Sequence, residues 1–84
     1  MDPSEPSRSV VVTSYAHAGK VGDHLAKLPR EVTDALYARL EAYVGRSFPL
    51  GPHVEHLRVE DKRVRANLFL DVDGTLWIHV VAAE

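Results

Sequence analysis

The chain contains no cysteine, so neither a disulfide framework nor a thiolate metal site is available to it. It has no apolar run near the ~18 residues of a membrane span, and its amino terminus is polar, unlike a signal peptide. The expected compartment is therefore the cytosol. No excess of one charge sign stands out: the net charge is −2 and the pI about 6.2, which gives no global electrostatic pull toward nucleic acid. There is no length for a second core either, because 84 residues make one small domain that buries roughly 60–65% of its unfolded surface. What is present, 45% apolar and 26% charged residues, is the composition of an ordinary globular protein.

Residues 1–9, MDPSEPSRS, hold two prolines, three serines and almost nothing apolar, and read as a disordered tail before a single domain over residues 10–84. Val10–Tyr15 is β-branched and reads as a strand. Val21, Leu25 and Leu28 follow helical spacing within a short amphipathic helix over 18–28. Leu28-Pro29 breaks it, with the proline in the first turn of a second helix. In that helix Val32, Ala35, Leu36, Leu40, Tyr43 and Val44 form a stripe of period 3.6, and Gly45 provides a left-handed stop.

After the Gly/Pro-rich GRSFPLGPH the period changes to two. Leu57 and Val59 share one strand face, with His56, Arg58 and Glu60 on the other. A Glu-Asp turn follows. Then Val64, Ala66, Leu68 and Leu70 oppose Arg63, Arg65, Asn67 and Phe69. After DVDG, Leu76, Ile78 and Val80 oppose Trp77, His79 and Val81. Three alternating segments joined by short polar turns make a β-meander. The element order is β-α-α-β-β-β.

One string within the meander, Asp71-Val72-Asp73-Gly74-Thr75, spells the D-x-D-G-T signature of the haloacid dehalogenase phosphatases, whose first aspartate attacks phosphorus. That chemistry needs a parallel strand followed by a loop, a helix and further strands. Only nine residues follow Thr75, and most of them are strand formers. Asp73-Gly74 is instead a strong hairpin-turn pair, since both positions tolerate positive φ.

HLRVEDKRVRANLFLDVDGTLWIHVV resembles the carboxyl half of the RelE/ParE toxin superfamily: an L-R-V strand, a turn, an aromatic-Arg-Val strand, an Asp/Gly turn and an apolar last strand. LAKLPREVTDALYARLEAY looks like the superfamily's helical hairpin joined at a leucine-proline step, and PLGPHVEHLR is similar to the approach to the sheet in HigB-type members. The resemblance spans about Val10 to Val81. It implies an α+β fold, a small antiparallel sheet with a helical hairpin packed on one face and a groove on the other. It further implies the toxin of a bacterial toxin–antitoxin system, and a metal-free, ribosome-dependent mRNA endoribonuclease (an mRNA interferase) without cofactor. Arg58 matches the arginine of L-R-V, Arg63 that of the aromatic-Arg-Val element, and His79 a histidine near the end of the last strand in some members. Lys62 stands where an aromatic is usual, and the chain ends VVAAE, without the lysine or tyrosine that often closes the active groove.

Alternation alone gathers His56, Arg58, Glu60, Arg63, Arg65, Asn67, Phe69, Trp77 and His79 on one face. Four cationic residues, Arg58, Lys62, Arg63 and Arg65, fall between positions 58 and 65. Glu60 or His56 could take a 2′-hydroxyl proton and His79 protonate the leaving oxygen. Arginines stabilise charge developing on phosphorus. With Lys62 and Arg65 binding RNA, Phe69 and Trp77 supply a stacking surface for an unpaired base. The plainer account is a solvated strand face whose arginines pair with Glu60. Five histidines with no i, i+4 pair give no expectation of metal. The competing function is a non-catalytic or ParE-like domain that binds an antitoxin or gyrase through its helices or groove. Homodimerisation through an exposed strand edge is a third option.

Overall fold

A computed structural model describes residues 8–83; of the disordered tail expected over residues 1–9, residues 1–7 lie outside them, and Ser9 is already in a strand. Eight elements follow in order: β1 (Ser9–Val11), β2 (Ser14–His17), α1 (Val21–Leu25), α2 (Arg30–Tyr43), β3 (Ser47–Pro49), β4 (Gly51–Val59), β5 (Lys62–Leu70) and β6 (Thr75–Ala83). The chain is an α+β domain. None of its helices, among the described residues, is long and apolar enough to cross a membrane.

Helix α2 forms where the sequence pattern placed it. The Pro29 carbonyl accepts from the Val32 and Thr33 amides, so the proline, which has no amide of its own to bond, starts the helix from the position just before it. Val32, Leu36, Leu40 and Tyr43 are buried, one residue per turn of a single face. That stripe lies over the inward residues of the meander: Val64, Ala66, Leu68 and Leu70 of β5, and Leu76, Ile78 and Val81 of β6, each at most 3% exposed. Burying a leucine or isoleucine side chain stabilises by roughly 1.5–3 kcal/mol, and the ridge of α2 on the sheet is where most of these side chains meet. Helix α1 is a short turn that contributes Val21 and Leu25 to the same core.

The four-stranded sheet has the order β2-β6-β5-β4. β4, β5 and β6 are antiparallel neighbours, as a meander must be. The first strand differs from the expectation: β2 joins β6 in parallel, Ser14 opposite Thr75 and His17 opposite Ile78. The helical hairpin carries the chain across the sheet's covered face, from one edge strand to the other, so β2 and β4 run in the same direction. The single strand expected at Val10–Tyr15 is also divided, and begins earlier, at Ser9. β1 pairs with β3 in a separate two-stranded ribbon. The division falls at Val12 and Thr13, whose amides donate to the Arg46 and Gly74 carbonyls. Val12 itself is fully buried.

Polar contacts that the hydrophobic pattern does not reveal tie α2 to both sheet edges. On the β4 side, Tyr43 Oη donates to Glu55 Oε2, and Arg39 Nη1 lies 3.4 Å from Glu55 Oε1. On the β2 side, Tyr15 Oη donates to Glu41 Oε1 at 2.8 Å, and His17 Nε2 meets Tyr37 Oη at 2.8 Å. Glu55 is an inward-pointing charge on an edge strand, a feature that discourages the pairing of a further strand. Burial, and then the hydrogen bond to Glu55, raise the Tyr43 phenol above the ordinary tyrosine range.

Both hairpin turns differ in detail from the sequence reading. The β5–β6 connection is a three-residue loop, Val72-Asp73-Gly74. The Gly74 amide donates to the Asp71 carbonyl at 3.1 Å and the Asp71 amide to the Thr75 carbonyl at 2.9 Å. Only Gly74 has positive φ, +91°, the form in which a turn is completed by one left-handed residue. A Cβ on Gly74 would also stand 2.7 Å from the Val11 carbonyl oxygen and 2.8 Å from Thr13 Oγ1. In the β4–β5 turn Glu60 takes a positive φ of 57°.

These contacts give two kinds of stability prediction, the first from the turns. Gly74→Ala, strained in φ and obstructed by backbone, should cost about 2–4 kcal/mol in denaturant unfolding. Glu60→Gly, at an exposed turn, should be neutral or stabilise by up to about 1 kcal/mol. The second concerns pH. Because the folded-state pKa of Tyr43 is raised, its stabilisation is complete below the unfolded value of about 10 and declines as pH rises beyond it. Tyr43→Phe should therefore lose about 1 kcal/mol at neutral pH and show a shallower fall in melting temperature above pH 10.

Candidate nucleic-acid interface

With helices on one face only, the other face of the meander is open, and its register arranges the outward side chains in four cross-strand rungs. At one end Trp77, Phe69 and Pro52 lie abreast, followed by Val80, Asn67 and Val54. Ala82, Arg65 and His56 make the third rung, and Arg63 with Arg58 the fourth. Successive rungs are two residues apart, about 7 Å, so the face runs from an aromatic end to a cationic end over roughly 20 Å.

Among the described residues the arginines of the cationic end make no ion pair. Arg63 stands directly opposite Arg58, a like-charge pairing that disfavours the sheet unless an anion lies over it. The ion pairs among the described residues are Arg30 with Asp34 and Arg39 with Glu55, so the pairing of the strand arginines with Glu60 does not occur. A cleft lined by His56, Leu57, Arg63, Val64, Arg65 and Ala82 opens at this end.

At the aromatic end Phe69 is 40% exposed and Trp77, its cross-strand neighbour, is half-buried. His79 meets the Phe69 ring edge-on, with ring centroids 6.2 Å apart at 82°. His79 reaches this position through a β-bulge. Asn67 pairs with Val80 and Leu68 with Ile78, which leaves His79 as the extra residue of β6. The bulge places two successive outward side chains, His79 and Val80, and reverses the alternation beyond them. Val81 is therefore buried at 3% and Val80 exposed at 46%, the opposite of the expected assignment.

Arg58, Arg63, Arg65, Phe69, Trp77 and His79 thus share the open face, while two expected site residues do not: Glu60, which the alternation placed there, and Lys62, which was expected to bind RNA. Glu60 sits in the turn beyond β4, at the tip of the hairpin. Lys62 is half-buried and takes the parity of Val64, on the opposite side of the strand from Arg63 and Arg65. His79 is level with Asn67, four residues or about 13 Å along β5 from Arg63. The expected acid and the expected phosphate-binding arginine therefore face different nucleotides of any strand that lies along the sheet. Val54, 53% exposed, was not singled out from the sequence, although its alternation with Glu55 and His56 marks it as outward.

The two aspartates of D-x-D-G-T serve the turn. Asp71 Oδ1 accepts from the Val72 amide at 2.7 Å, and Asp73 Oδ1 from the Thr75 amide at 2.9 Å. The hydrogen bonds from Thr75 hold the Asp73 carboxyl below the usual carboxylate range. Both strands beside β5 are antiparallel to it, and the segment after Thr75 is strand β6 and not a helix, so the described residues do not form the phosphatase architecture.

The bulge gives a direct test of register. Val80→Glu should change stability by no more than about 0.5 kcal/mol, whereas Val81→Glu should cost more than about 3 kcal/mol by burying an unpaired charge. Thermal unfolding of the two variants distinguishes this register from uninterrupted alternation, which demands the reverse order.

No family model matches the chain, and no curated protein or solved structure matches it.

Proposed function

We propose that this chain is a RelE-like toxin component of a bacterial toxin–antitoxin system, and that its open sheet face binds single-stranded mRNA. The observation that carries this reading is the arginine end, Arg58 opposite Arg63 and beside Arg65, with no ion pair among the described residues, continuous with the Phe69–Trp77 surface. Guanidinium groups are suited to phosphate oxygens and aromatic faces to unpaired bases. The resemblance of the L-R-V and K-R-V-R-A strands to the toxin superfamily supports the same assignment. A strand lying along β5 sets its phosphates over the arginine rungs and its bases toward Phe69 and Trp77. If the bound message is cut on the ribosome, His56 and His79 are the imidazoles on this face suited to proton transfer, with His79 as the acid that protonates the leaving oxygen.

A second reading, a domain that binds RNA or a protein partner without cleavage, is favoured by one feature. Glu60 at the hairpin tip and His79 at the bulge do not form an acid–base pair around one phosphate. The groove would then hold an antitoxin segment or another protein through Val54, Phe69 and Val80, all exposed.

Induction in a bacterial host, with growth followed and message ends mapped, separates the two. The nuclease reading expects growth arrest and new ends, both lost in a folded Arg63→Ala variant; arrest with intact messages supports the binding reading, and no arrest removes the toxin assignment. In vitro, RNA affinity should fall with salt with a slope of about −2 in log–log form if the three arginines each contact a phosphate. Each Arg→Ala substitution should then reduce the slope by about 0.7. Salt-independent binding would place the contact elsewhere.

A further inference from the structure

The aromatic end of the open face contains a small pocket lined by four side chains, Phe69, Asp71, Trp77 and His79. Three of them are rings. The fourth is the first aspartate of the turn, which follows Phe69 by two residues and so shares its side of the strand. Its backbone is fixed at both ends, the amide donating to the Thr75 carbonyl and the carbonyl accepting from the Gly74 amide. Its Oδ1 is held by the Val72 amide, while Oδ2 makes no hydrogen bond among the described residues. A positioned carboxylate thus stands at the rim of an aromatic pocket.

That combination selects among bases. A carboxylate only accepts hydrogen bonds. Guanine presents two adjacent donors, N1–H and the N2 amine, to a carboxylate in its plane. Adenine sets its N6 amine beside the acceptor N1, and cytosine sets its N4 amine beside the acceptor N3. Uracil has a single N3–H between two carbonyl oxygens. Only guanine can engage both carboxylate oxygens without turning a lone pair toward one of them. The same negative charge repels phosphate from this end of the face and directs the backbone to the arginine end.

We infer that the Phe69–Asp71–Trp77–His79 pocket receives a guanine base of the bound strand, stacked on the aromatic side chains and paired through N1–H and N2 with Asp71. The inference rests on the reading that the open face binds single-stranded RNA, and adds to it a preferred base and a direction: base at Asp71, phosphates at Arg63 and Arg65.

The test uses the full chain and U-rich heptaribonucleotides with guanine, inosine or adenine at the centre. Trp77 is the single tryptophan, so stacking on it reads out directly as fluorescence quenching. The guanine oligonucleotide should bind about five- to a hundredfold more tightly than the adenine one, as a bidentate base contact gives, with inosine between them because it lacks the N2 amine. Asp71→Asn keeps an acceptor for the Val72 amide and should abolish the guanine preference while salt-dependent binding persists. Equal affinity for guanine and adenine in the wild type, or an undiminished preference in a folded Asp71→Asn variant, would overturn the inference and leave the RNA-binding reading intact. The wild-type series alone decides the matter if that variant does not fold. Failure of all three oligonucleotides to bind would overturn the RNA-binding reading and the pocket together.

Discussion

Everything about this molecule depends on one asymmetry: the described residues hold enough helix to cover one face of the sheet and none for the other. The stripe of Val32, Leu36, Leu40 and Tyr43 on α2 meets the inward side chains of β5 and β6, and that contact supplies the core. The inward residues are almost all aliphatic and the outward ones are not. The open face is free to carry groups that a core would reject, and it carries guanidinium, imidazole and indole.

Such a face is not neutral for folding. Arg58 opposite Arg63, with Arg65 two positions further along the same face, concentrates positive charge on a chain whose overall charge is slightly negative. The acidic residues lie mainly elsewhere, in α2, at the hairpin tips and, as Glu55, on the helix-facing side of β4. Repulsion between the rungs is screened by solvent and salt, and a polyanion laid over them removes it. On the proposed RNA-binding reading, stability and binding would be coupled through the same three side chains. The bulge at His79 adds shape to this charge by turning an imidazole toward Phe69 and lifting Val80 to the surface.

The helix, the three strands of the meander and the face occupied by each arginine were legible in the sequence, because period 3.6 and period 2 are set by backbone geometry and need only local information. Gly45, with φ of +87°, stops the helix as its position implied. The unread features are non-local. Nothing in Val10–Tyr15 says that its first half pairs with Ser47–Pro49 and its second half with Thr75–Ile78, since both halves are equally good strands. His79-Val80-Val81 carries no mark of the extra residue, because a bulge depends on how two strands meet. Tyr15, Tyr37, Tyr43 and Glu55 read as ordinary helix or strand residues, and their hydroxyl–carboxylate and hydroxyl–imidazole contacts appear only when α2 lies across the sheet. Asp71 was recognised as part of the turn; its place beside Phe69 and Trp77 needed the fold.

The parallel union of β2 with β6 joins Ser14 to Thr75, positions about sixty residues apart in the chain. A helical turn or a hairpin closes a short loop at small entropic cost, but this pairing closes a loop that contains both helices and the meander. Loop entropy favours its formation after β6 has its place against β5. The meander and α2 are therefore the natural early structure, and the amino-terminal strand is the last to dock. Until it does, one edge of β6 has unpaired amides and carbonyls, an open strand edge that the docking of β2 closes.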